Sequence, residues 1–118
     1  MATGFDTIES GLFANYGKTT PDLTVTATAS LTVNQRVVEC QVAATSTTVT
    51  ITLPSVHQAA GKMFTITATT LGSGSKVTVA DAGDSLNNIS EDLDEALDAL
   101  CMFSNGRDWF IMATNLSA

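Results

Sequence analysis

Apolar and polar residues alternate one by one along much of this chain, and the pattern is sharpest just before its middle. Val49, Ile51 and Leu53 interleave with Thr48, Thr50 and Thr52. Successive side chains of a strand point to opposite faces, so this run places three aliphatics on one face and three hydroxyls on the other. Pro54 has no N–H for a ladder and ends the strand. Ser55 to Ala60 is long enough for a turn of helix. Gly61 reverses the chain, and Lys62 to Thr69 opens a second strand with Phe64 and Ile66 on its buried side. The remaining strands are expected to pack around this pair.

The same grammar runs through the flanking segments. Thr24 to Ala29 alternates Thr with Val25, Ala27 and Ala29, and Leu31 and Val33 continue it up to a turn at Asn34-Gln35. Arg36 to Ala43 carries Val38, Cys40 and Val42 on one side, and Ala44 to Thr47 turns into the Val49 strand. Gly72-Ser73-Gly74-Ser75 is a flexible turn, Lys76 to Ala80 a short strand, and Asp81 to Asn88 a loop. Glu91 to Leu100 departs from the pattern. Leu93, Leu97 and Leu100 recur at helical spacing, Ser90 suits an N-cap, and Glu91, Asp92, Asp94 and Glu95 suit the N-terminal end of a helix. A short acidic helix of two to three turns is therefore expected there. Cys101 to Ser104 returns to strand, and Asn105-Gly106 is a hairpin signal. Trp109 to Ala113 closes the fold, with Trp109 and Ile111 on one face and Phe110 and Met112 on the other, which predicts burial on both faces. No internal repeat is visible. The expected fold is all-β: a small sandwich or barrel of about seven short strands.

Residues 1–22 form a distinct segment, expected as an extended N-terminal arm ahead of a β domain spanning 23–118. It mixes Gly4, Gly11, Gly17 and Pro21 with isolated apolar residues, and no period runs through it for long. Disordered tails are poor in aromatics, yet Phe5, Phe13 and Tyr16 all lie here. The arm is therefore read as packing on a partner through Phe5, Ile8, Leu12, Phe13 and Tyr16.

Composition adds a second reason to expect partners. Of the 118 residues 44% are hydrophobic and only 14% charged, against about 25% charged in an ordinary soluble domain. Surface covered by further copies of the chain accounts for the deficit most simply. The net charge of −7, with only Lys18, Arg36, Lys62, Lys76 and Arg107 as scattered cations, argues against a nucleic-acid partner. Met1 to Phe13 lacks the features of a signal peptide, and no window has the apolar length of a membrane span, so no membrane partner is expected.

Candidate chemistry is sparse. Gly83-Asp84-Ser85-Leu86 spells the nucleophile motif of one esterase family, but a serine nucleophile needs a base within reach. The one histidine, His57, lies upstream in the turn after Pro54. His57 has no Cys or carboxylate at ligand spacing. The acidic set Asp81, Asp84, Glu91, Asp92, Asp94, Glu95 and Asp98 lacks the order of a calcium loop and reads as a solvated face. Cys40 and Cys101 sit in apolar runs and are expected as buried free thiols, with a disulfide between neighbouring strands as the alternative. Asn88-Ile89-Ser90 and Asn115-Leu116-Ser117 match the glycosylation sequon, here by chance. No catalytic residue, metal or cofactor is expected, and the protein is read as a non-enzyme.

Four pieces of the chain carry a family resemblance: Thr50-Ile51-Thr52-Leu53-Pro54, Gly61-Lys62-Met63-Phe64-Thr65-Ile66, Lys76-Val77-Thr78-Val79, and Phe103 to Ile111 through Asn105-Gly106. Together, over roughly Leu31 to Thr114, they resemble the small β domains of bacteriophage virion proteins: capsid decoration (cement) proteins, head fibres and tail-fibre segments. The resemblance implies a structural protein on the outer capsid surface of a virion assembled in the host cytoplasm. It would act as a homotrimer that binds the major capsid protein. The arm residues would contact capsid or a neighbouring subunit, and Trp109, Phe110 and Met112 would form the subunit interface. A chain that opens with Met and runs 118 residues is expected of a stand-alone decoration protein. A receptor-contacting fibre module is the nearest alternative, and a carbohydrate-binding β module using Trp109, Phe110 and Tyr16 is the alternative from another class.

Overall fold

The computed structural model describes residues 21–86 and 89–116, so the arm residues Phe5, Ile8, Leu12, Phe13 and Tyr16 lie outside the described residues. Nine strands run through the described residues. They are β1 (Leu23–Val25), β2 (Ala29–Ser30), β3 (Val37–Val42), β4 (Thr48–Thr52), β5 (Met63–Leu71), β6 (Lys76–Ala80), β7 (Ser90–Leu93), β8 (Asp98–Ser104) and β9 (Trp109–Asn115). They form two mixed sheets, a five-stranded one in the order β1-β3-β5-β8-β9 and a four-stranded one in the order β2-β4-β6-β7.

The first six strands alternate between the sheets. β1, β3 and β5 run parallel in one, and β2, β4 and β6 run parallel in the other. The chain thus coils, and each pass through a sheet lies beside the previous one. In the two longer parallel pairs, β3 with β5 and β4 with β6, partners are 28 positions apart: Val38 lies beside Ile66 and Val49 beside Val77. The loops keep the same step, since the Thr47 N–H donates to Ser75 Oγ at 3.0 Å and the Val56 N–H to Asp84 at 3.3 Å, each across 28 residues. The Val49 and Phe64 strands, β4 and β5, lie in different sheets. Pro54 and the single turn after it, closed by Ala59 N–H to the Ser55 carbonyl at 3.0 Å, carry the chain from one sheet to the other.

Alternation fixes which face each strand buries. Val38, Cys40 and Val42 on β3, Val49 and Ile51 on β4, Phe64, Ile66 and Ala68 on β5 and Val77 and Val79 on β6 all belong to one core cluster. Both sheets therefore feed a single core. Full burial of each larger aliphatic removes enough apolar surface from water to contribute about 1.5–3 kcal/mol.

The expected acidic helix over Glu91 to Leu100 is not present. Those residues form β7, a turn and the start of β8. Leu93 and Leu100 are buried as strand residues, whereas Leu97 is 66% exposed and has a left-handed backbone with φ of 74°. The buried Asp98 carboxylate accepts the N–H groups of Asp94 and Glu95 at 3.2 and 3.1 Å and closes the turn. Two strand neighbours, β6 for β7 and β5 for β8, outweigh a three-leucine stripe.

Candidate functional site

The residues first considered for chemistry act as ties between loops. Ser85 is buried, and its Oγ accepts the Trp109 N–H at 3.3 Å. Asp84 accepts the Val56 N–H, and His57 Nδ1 lies 2.8 Å from the Gly106 carbonyl oxygen. Serine, aspartate and histidine are thus directed at backbone groups of three loops. Among the described residues, no group of three or more His, Cys, Asp or Glu side chains could hold a metal ion. Asp92 belongs to a surface pair with Lys76 at 3.2 Å, and the Thr78 hydroxyl, donating at 2.8 Å, is the first cause of its lowered carboxyl pKa.

Cys40 and Cys101 are free and sit on opposite faces of the five-stranded sheet. Burial, with Glu39 next to it in sequence, pushes the Cys40 thiol up to about 11. Cys101 points outward, where the Thr65 hydroxyl donates toward its Sγ at 3.8 Å.

That outer face is the feature that sets this molecule apart. Strand register places Met63, Phe103 and Phe110 in one row across β5, β8 and β9. The next row runs Val37, Thr65, Cys101, Ala113. A third runs Glu39, Thr67, Ala99, Asn115, and Glu39 is the only charged side chain in the three. A shallow depression of about 140 Å³ lies here, lined by Thr65, Ala99, Cys101 and Ala113 among others. An antiparallel stretch facing water on one side normally places polar residues there, and β5, β8 and β9 set methyl, thiol and aromatic groups among Thr65, Thr67 and Asn115.

The closing strand extends the same surface. Trp109 is wholly buried, so it has no surface to give a neighbouring subunit or a sugar, and the expected interface role is corrected to a core role. From Phe110 onward every residue of β9 is exposed in the single chain, so the described residues do not themselves supply the expected burial on both faces. Met112 is the extra residue of a bulge, since Cys101 pairs Ala113 while Met102 pairs Ile111, and its side chain is 57% exposed. Sequence reasoning picked out Phe110 and Met112 but missed Met63, Phe103, Cys101 and Ala113. The available signal was the run Ala99 to Phe103, apolar at every position and hence on both faces. Comparison with known proteins finds no matching family model, no matching curated protein and no matching solved structure.

Proposed function

We propose that the protein is a structural, multi-copy component of a virion: a capsid decoration protein that sits on the outer shell as a homotrimer and holds neighbouring capsid subunits together. In this reading its two sheets form a small sandwich, and the arm, through Phe5, Ile8, Leu12, Phe13 and Tyr16, lies across the major capsid protein or a neighbouring copy. The observation that supports an assembly role best is the nearly uncharged outer face of β5, β8 and β9, which no other described strand covers. Exposed apolar surface of this kind, on a chain with so little charge elsewhere, fits a protein that works packed against others. The virion setting rests on the likeness of the four sequence pieces. Repetition of a modest contact over many copies gives firm attachment without any single strong site.

Co-sedimentation tests this reading. Purified protein is mixed with empty shells assembled from the major capsid protein of the same virus. A decoration protein pellets with the shells and saturates at a fixed ratio to capsid subunits. Protein that stays in the supernatant at every ratio contradicts the reading, and binding to a glycan array would then favour the sugar-binding module.

A further inference from the structure

The outer edges of the two sheets are not alike. An edge strand presents unpaired N–H and C=O groups, and proteins blunt such edges with short strands or charge. β1 has 3 residues and β2 only 2. β7 carries Glu91 and Asp92 and is followed by Asp94 and Glu95. β9 is neither short nor charged, and its one interruption is the bulge at Met112. It runs for 7 residues, WFIMATN, with no charge and no proline, and among the described residues the five-stranded sheet ends with it.

The core is also open along this strand. The inward row Phe64, Met102, Ile111 crosses β5, β8 and β9. Phe64 and Met102 are 0% exposed, yet Ile111 is 37% exposed. Phe110 on the other face is 46% exposed. Ile111 and Phe110 thus leave apolar surface on both faces of β9, beside an edge to which no described residue is paired.

We infer that β9 is the strand through which copies of this chain meet, so that its occupant is the β9 region of a second copy. The inference rests on the multi-copy reading above and names its contact. Given the multi-copy reading, charge decides which edge the copies share. Two chains of net charge −7 repel, strongly if they approach by the acidic β7 edge, whereas β9 lets them approach with no acid on the strand. Rotational symmetry brings the same residues of each copy to the axis. There Phe110, Ile111 and Met112 would pack on their own equivalents.

The test uses the full chain, with light scattering for mass and hydrogen exchange for the β9 amides. The wild type is expected at a multiple of 12.3 kDa, while Met112→Lys and Phe110→Ser fall to a single-chain mass with Trp109 emission unchanged. The β9 amides that point away from β8 should be protected in the assembly and exchange freely once dilution releases single chains, while those bonded to β8 stay protected in both. Three results overturn the inference: a monomeric wild type, variants that keep the wild-type mass, or β9 amides pointing away from β8 still protected in the single chain, which would mean that another part of the same chain covers the edge. A wild type of two copies, lost in the variants, keeps the β9 contact and removes the trimer. Shell binding by monomeric Met112→Lys separates shell attachment from contact between copies.

Discussion

Trp109 meets Phe64 edge to face, with ring centroids 5.4 Å apart and ring planes at 78°. Both are fully buried, and they join the last strand to the middle of the five-stranded sheet. Phe64→Ala removes the ring, leaves a cavity against the indole, and is expected to cost about 3–5 kcal/mol. Urea unfolding followed by circular dichroism measures the loss. A cost below about 1 kcal/mol, the level of an ordinary surface change, would show that this contact does not hold β9 in place.

Ser104 is buried and works in two directions. Its hydroxyl donates to the Val56 carbonyl at 2.7 Å and accepts the Gly106 N–H at 3.1 Å. It thereby fastens the turn after Pro54 to the Asn105-Gly106 hairpin. Ser104→Ala is expected to lower stability by about 1–3 kcal/mol, because buried backbone groups lose a partner. Faster amide exchange at Gly106 should accompany the loss.

Gly72 lies where two passes of the coil come closest. A Cβ there would collide with the carbonyl oxygens of Ala43 and Ala44, which are backbone and cannot swing away. The Gly72 N–H also donates to the Val42 carbonyl at 2.7 Å. Gly72→Ala is therefore expected to destabilise by about 1–3 kcal/mol through overpacking. A thermal melt with no shift would contradict the close approach.

Leu97 gives the opposite sign. It is a branched side chain at φ of 74°, mostly in water, with its N–H donating to the Ala68 carbonyl at 2.7 Å. Leu97→Gly relieves the strain, loses little burial, and is expected to raise stability by about 0.5–1 kcal/mol despite glycine's greater freedom when unfolded. The urea midpoint should move up.

Cys40 sets an alkaline limit. Burial first, then Glu39, raises its folded pKa to about 11 from an ordinary 9.0. Within that window the folded chain binds the proton and the unfolded chain has released it. Its contribution is therefore complete below pH 9.0 and is lost as pH rises toward about 11. Urea midpoints should fall more steeply across this window in the wild type than in Cys40→Ala. Equal slopes would contradict a buried, protonated thiol.

Strand positions were legible because alternation is local: Val49 and Ile51, and Phe64 and Ile66, fall inside as their spacing predicts. Pairing was not legible. The 28-residue step that sets Val38 beside Ile66 and Val49 beside Val77 leaves no sequence repeat, because stacked positions need only be apolar and of fitting size. The helix expectation failed at Leu97, where three leucines at helical spacing also suit two strands joined by a turn. Of the surface, Phe110 and Met112 could be read from the terminal strand. The part built by Met63, Phe103 and Cys101 depends on which strands adjoin, and that is a property of the sheet order.

The measurement that bears most directly on an assembly role is the solution mass of the full chain by light scattering over a range of concentrations. The account predicts a stable three-chain species of 12.3 kDa subunits. A single-chain mass throughout the range, with the uncharged face of β5, β8 and β9 still exposed to water, would contradict it.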